Sequence, residues 1–374
     1  MLIEAAVLWN VNEPWSIEEV DLGDPVAGEV QIKLAASGLC HSDEHVRIGD
    51  MPSELPTIGG HEGAGVVTKV GAGVTNVAEG DHIVLAFIPA CGRCKPCSTG
   101  HQNLCDLGAF LMQREAIADG TFRATARGQG LGRLCQLGTF SPYVTVHESS
   151  VVKIDSNVRL SSAALLGCGV VTGWGSAVYA ARVEAGDVVL VVGVGGIGTA
   201  AVQGAKHAGA SKIIVVEPVA EKRTRALSFG ATHAVASLDE AQGLVSDLTW
   251  GQGADKALIT VGVCDGEMIA PVMSLVSKGG RVVVTAVTPI AQTEVKLSLF
   301  ELTIWQKQLV GTLFGSANPR ADIPKLCQLY QDGILKLDEM ITNTYELKQV
   351  NEGYADMMAG RNTRGVIIHD SSMF

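Results

Sequence analysis

Basic residues are scarce: 28 Lys and Arg stand against 39 Asp and Glu, giving a formal net charge of -11 over 374 residues. A surface that binds phosphate backbones needs the opposite balance, which excludes nucleic acid as the expected partner and favours a small molecule. Aromatic residues supply only 5% of the chain and charged residues 18%, while 47% is hydrophobic. That is the composition of a folded α/β protein, not of a disordered or fibrous one. No charged leader precedes a long apolar run, and Met1 to Trp9 reads as an opening strand, so a cytoplasmic chain without a secretory signal is expected. The most apolar stretch, Val188 to Val202, is too short for a membrane span and has four glycines inside it, so no span is assigned. Long linkers, internal repeats and low-complexity segments are also missing. Two residue types are abundant instead, 44 glycines and nine cysteines. In a reducing compartment cysteines clustered in one short segment point to metal ligation, not disulfides.

The length exceeds what one core usually fills and predicts two domains. From about Ala6 to Val84, short apolar strands (Glu29 to Ala35, Gly63 to Val70, His82 to Phe87) alternate with glycine turns and show little helical period, predicting a mostly β domain. Residues from about 90 to 140 are rich in Cys and Gly and read as a metal-organised lobe. After Ser161, strand-like runs (Asp187 to Val192, Lys212 to Glu217, Lys256 to Val261, Arg281 to Val287) alternate with helix-like ones such as Ala220 to Phe229 and Gly266 to Ser277. That alternation predicts a parallel, doubly wound sheet. A helix near Ile323 to Gln331 and a last strand at Gly365 to His369 return to the first domain. The expected division is 1–170 and 315–374 for one domain and 171–314 for the other, with substrate entering their cleft.

Gly193-Val194-Gly195-Gly196-Ile197-Gly198 follows the apolar strand Val188 to Val192 and opens an Ala/Gly-rich helix, Thr199 to Ala208. The first glycine permits the turn, the second lets backbone approach a pyrophosphate, and the third lets helix and strand pack closely. Glu217 ends the next strand about twenty residues further on, where an acid accepts the adenosine ribose hydroxyls and repels the extra phosphate of NADP. NAD is the expected cofactor. Lys222 is either a solvated helix charge or a second ribose contact.

Cys91-x2-Cys94-x2-Cys97-x7-Cys105 places four thiolates within reach of one tetrahedral ion. Four sulfurs close the coordination shell, so such a zinc is structural; an iron–sulfur cluster, a zinc ribbon and four unrelated thiols are the alternatives. A second set is scattered: Cys40 in Gly38-Leu39-Cys40-His41-Ser42-Asp43-Glu44-His45, His61 and Glu62 among glycines, and Cys168 in Leu166-Gly167-Cys168-Gly169. Spacing alone does not unite residues so far apart. Ser42 reads equally as a turn hydroxyl and His45 as a surface imidazole. Cys135, Cys264 and Cys327 are assigned no role.

The fingerprint Gly60-His61-Glu62-x2-Gly65, with Cys40 and Cys168 at the matching places, resembles the zinc-containing medium-chain alcohol dehydrogenases over essentially the whole chain. The resemblance implies a GroES-like catalytic domain beside a Rossmann domain. It makes Cys40, His61 and Cys168 ligands of a catalytic zinc, Glu62 an occasional fourth ligand, and Cys91 to Cys105 the structural zinc site. Three protein ligands leave a position for water or alcohol, and zinc there eases loss of the hydroxyl proton before hydride departs. Ser42 and His45 match the family's proton relay, His41 and Arg364 its pyrophosphate contacts, and Thr172 the residue that packs on the nicotinamide. One departure is Glu217, where the family usually has Asp.

Leu34 to His45, Phe87 to Gly92, Leu248 to Asp255 and Leu313 to Arg320 further resemble the actinobacterial nitroso-dimethylaniline-dependent members. That likeness implies an NAD that stays bound and is reoxidised in place by an external carrier such as mycofactocin. A homo-oligomer is expected, through a strand near Leu309 to Leu313. The competing readings are a thiol-dependent formaldehyde dehydrogenase of the same superfamily, a catalytically silent NAD-binding structural protein, and a zinc-ribbon regulator.

Overall fold

A computed structural model describes residues 1–373 and divides into two compact units, Met1–Cys168 with Asn318–Phe374, and Gly169–Ala317. In the first unit Leu2–Leu8, Ser16–Leu22, Ala124–Ala126, Gln129–Arg133 and Thr57–Ile58 close into a small barrel around Val7, Val20 and Leu131. A larger sheet runs Val151–Lys153, His82–Leu85, Gly63–Val70, Glu29–Gly38, Arg364–Ile368, Ile341–Tyr345, with Tyr143–His147 also paired to Glu29–Gly38. The strand Glu29–Gly38 is buried at nine of its ten positions, as a strand paired on several sides must be. The C-terminal strand pairs antiparallel with it, Val366 opposite Gly38. Closing the sheet this way sets Arg364 near the strand's end.

Two registers and one close approach place the site. Ser37 pairs with Gly63, and Gly63 with Leu85, so three neighbouring strands stop side by side. Cys40 lies just past the first of these ends and His61 and Glu62 just before the second. At the third, Phe87 donates to the carbonyl of Gly167, and a Cβ on Gly167 would overlap Leu85 O. That close approach brings Cys168 to the same edge.

The second unit is a parallel sheet of His233–Val235, Lys212–Val216, Val188–Val192, Ala254–Ile259, Val276–Val284 and Gln308–Gly311, in that spatial order. In chain order this is 3-2-1-4-5-6, the Rossmann arrangement, whose order reverses between Val188–Val192 and Ala254–Ile259. Val, Ile and Leu fill the strands because both faces are covered.

Several elements differ from the sequence expectation. His41–Ile48 is a helix, hidden because only Val46 and Ile48 are apolar in it, while its buried face carries Asp43, Glu44 and His45. Residues 124–133 are barrel strands instead of part of a metal-organised lobe. The strand expected at Arg281 to Val287 is Val276–Val284, and the preceding helix shortens to Ile269–Ser274. Among the described residues no single helix is long and apolar enough to cross a membrane.

Candidate active site and cofactor loop

Cys40, His61, Glu62 and Cys168 are all buried, and one ligand atom from each lies within 4.8 Å of the others. His61 shows what the cluster is arranged to do. Its Nδ1 donates to Asp43 Oδ1 at 3.2 Å, and the same oxygen accepts from the Gly60 backbone at 2.9 Å. The hydrogen is therefore on Nδ1, leaving the lone pair on Nε2, which is buried with no hydrogen-bond partner. A buried nitrogen in that state is costly unless a metal takes it, and a carboxylate on the other ring nitrogen is the usual support for a metal-bound imidazole.

The charges agree. A hydrogen bond from Cys168, together with the charge of His61 and Arg364, holds the Cys40 thiol well below its ordinary range against the effect of burial. Cys168, as donor to Cys40 and by burial, is pushed well above it. Burial pulls His61 down, but Asp43 and Cys40 outweigh it and keep the imidazole well above its usual value. The Cys40 thiolate is thus balanced by the His61 imidazolium, whose Nε2 proton a metal would replace. Glu62 is fully buried and ion-paired with Arg364. A Cβ on Gly38 would overlap Glu62 Oε2 and lie 2.9 Å from Arg364 Nη2, so that position has to be glycine. Arg364 Nε is buried without a partner.

Ser42 opens the helix behind Cys40, its Oγ 3.7 Å from the Cys40 sulfur. His45 is fully buried, not a surface imidazole; its ring centroid lies 5.0 Å from that of His41, and its Nδ1 is 3.1 Å from Asp50 Oδ2. Burial, and then the charge of His45, lower the His41 pKa.

Cys91, Cys94, Cys97 and Cys105 form a separate cluster with all sulfurs within 4.8 Å. Cys91 and Cys97 sulfurs are 4.0 Å apart, Cys94 and Cys105 sulfurs 3.9 Å. A tetrahedron with Zn–S bonds of about 2.3 Å has edges of about 3.8 Å, and a disulfide would need about 2.05 Å. The backbone N–H of Cys94 donates to Cys91 Sγ and that of Cys91 to Cys105 Sγ, both at 3.4 Å. The sulfurs fit a four-thiolate zinc.

In the second unit Gly193 takes φ +88, and a Cβ on Gly198 would overlap Gly193 O, whereas Gly195 faces open space within 4 Å. Ile197 lies in the first turn of the Gly196–His207 helix. Glu217 is buried at the end of the neighbouring strand, one oxygen accepting from the Val194 N–H and the other from Val219, each at 3.0 Å. The longer side chain thus ties the glycine loop to the second strand. Lys222 is half-buried on the following helix, and Thr172 is buried with an unpartnered Oγ1.

Sequence reasoning missed Asp43, Asp50, Thr260 and Arg223. Thr260 donates to the carbonyls of Val192 and Gly193, and Arg223 to those of Glu217 and Pro218. Only Asp43, inside the segment that carries Cys40, had a signal: an acid beside a ligand.

The model of the alcohol dehydrogenase GroES-like domain matches residues 26–156 and that of the zinc-binding dehydrogenases residues 196–332. The chain is 51% identical over 368 residues to alcohol dehydrogenase B of Mycobacterium tuberculosis, covering 98% of each. It is likewise 51% identical over 371 residues to the NDMA-dependent alcohol dehydrogenase of Amycolatopsis methanolica, covering 99% of this chain and 100% of that one. Among solved structures, a zinc-binding-domain alcohol dehydrogenase from Burkholderia ambifaria superposes with a TM-score of 0.92 at 31% identity, and benzyl alcohol dehydrogenase from Acinetobacter calcoaceticus with 0.91 at 28%, each covering 98% of this chain and 99% of the other. The chain belongs to the zinc-dependent alcohol dehydrogenases and is an oxidoreductase acting on alcohols.

Proposed function

We propose that the chain oxidises an alcohol to an aldehyde or ketone with NAD as hydride acceptor, using one zinc at Cys40, His61 and Cys168 and a second at the four-cysteine cluster. The observation that carries this is the unpartnered Nε2 of His61, oriented by Asp43 and gathered with two thiols. When bound, the first zinc supplies Lewis acidity that eases removal of the hydroxyl proton. Ser42 takes that proton and His45 carries it onward. Glu62, held by Arg364, stands ready as an exchangeable ligand. The Gly193–Gly198 loop and helix N-terminus take the pyrophosphate, with His41 and Arg364 adding positive donors. Glu217, as an acid at a strand end, selects NAD over NADP, with Lys222 at the ribose, and Thr172 packs on the nicotinamide.

The likeness to an NDMA-dependent relative supports a finer reading, in which the NAD stays bound and an external redox carrier such as mycofactocin reoxidises it in place. The test is turnover of an alcohol with nitroso-dimethylaniline and no added NAD. Sustained turnover supports in-place reoxidation; turnover only with added NAD makes the chain an ordinary dehydrogenase. Thiol-dependent turnover of formaldehyde would instead favour the formaldehyde dehydrogenase reading.

A further inference from the structure

The relay reading asks His45 to pass a proton to water, yet its side chain is 0% exposed; that of Asp50, 3.1 Å from its Nδ1, is 28% exposed. Local chain geometry creates this pair. His45 lies in the last turn of the His41–Ile48 helix, which Gly49 ends at φ +86 with its N–H bonded back to Val46 O. Met51 then donates to the His45 carbonyl at 3.1 Å, folding residue 50 back over the imidazole. A cavity of 390 Å³ is lined by Gly49 and Met51, the two residues that flank Asp50.

We propose that Asp50 is the exit of the proton path, taking the proton from His45 Nδ1 and releasing it to solvent. The inference rests on Ser42 and His45 acting as the relay. A carboxylate only accepts, so neutral His45 has its hydrogen on Nδ1 and its lone pair on Nε2. A proton arriving at Nε2 makes the imidazolium, and the Nδ1 hydrogen then moves to Asp50 Oδ2. Asp50 gives it to water, and the ring exchanges back to the Nδ1–H form before the next turnover. One proton enters and one leaves, with no change of oxidation state. His41 also faces the ring, and the Glu44–Arg47 ion pair lies on the same helix.

The test uses the full, zinc-loaded chain and its Asp50→Asn and Asp50→Glu variants. Alcohol-dependent proton release is followed with a pH indicator in weak buffer, alongside kcat and KM. For Asp50→Asn, proton release and kcat should fall about tenfold near neutral pH with KM little changed, less than the 10²- to 10⁴-fold of a direct acid–base group. Added formate should restore much of the loss, and Asp50→Glu should keep most of the rate. Parental proton release in Asp50→Asn, or a loss that neither formate nor Asp50→Glu restores, overturns the proposal. A parallel His45→Ala variant separates the two claims. If it is slow while Asp50→Asn is not, the relay stands and this exit falls; if neither is slow, the relay reading itself is wrong.

Discussion

Asp43 accepts the Nδ1 hydrogen of His61 at 3.2 Å, and this one contact decides which nitrogen the imidazole offers to a metal. Both groups are buried, so water does not substitute for the carboxylate. Replacing Asp43 by Asn leaves a side chain able to present either a donor or an acceptor, and the tautomer is no longer fixed. Zinc affinity at the Cys40–His61–Cys168 site should fall about 10- to 100-fold, measured by competition with a chromophoric chelator. The four-cysteine cluster shares no ligand with Asp43 and should keep its zinc.

Gly38 faces the Glu62–Arg364 pair, and a methyl group there has no space. Gly38→Ala should displace the buried ion pair and destabilise the fold by about 1–3 kcal/mol, the usual cost of overpacking. The readout is the denaturant midpoint of the metal-loaded protein. A wild-type midpoint would contradict the close approach.

The two candidate metal sites were legible in the sequence to different degrees. Cys91 to Cys105 is local, so spacing alone grouped the four thiols around one candidate ion. Cys40, His61 and Cys168 come together through strand registers, Ser37 with Gly63 and Gly63 with Leu85, which no local pattern encodes. Resemblance supplied that union. The parallel sheet was legible because its strands are continuous apolar runs bounded by glycine. The helix His41–Ile48 was not, because its buried face carries Asp43, Glu44 and His45 in place of an apolar stripe. Asp50 escaped for a related reason: its partner lies across a glycine-ended turn whose shape emerges only in three dimensions.

His369 Nε2 lies 2.9 Å from Ser37 Oγ and 3.1 Å from the Thr139 carbonyl, and burial lowers its pKa to about 4. An unfolded histidine titrates near 6.5. Stability from the neutral ring is therefore intact above about pH 6.5 and is lost as pH falls toward 4, because only the unfolded chain takes the proton easily. The residue as a whole is only half-buried, which limits the effect to about 1–2 kcal/mol. His369→Gln should flatten the decline of the unfolding free energy over that window; an unchanged slope would assign the acid loss elsewhere.

Gln308–Gly311 is the last strand of its sheet, and beside it in sequence Leu299, Phe300 and Ile304 are 71%, 66% and 61% exposed. Apolar side chains next to an unpaired edge are what a second copy would cover. Phe300→Asp should lower the oligomer mass seen by light scattering after size exclusion; a parental mass would move the interface elsewhere.

Metal and nucleotide stoichiometry on protein purified without added cofactor tests the central claim most directly, by elemental analysis and acid release of bound nucleotide. The account predicts two zinc ions per chain, one of them lost in Cys40→Ala together with alcohol oxidation, and NAD surviving dialysis. A protein with no zinc, or with full activity after Cys40→Ala, would contradict it.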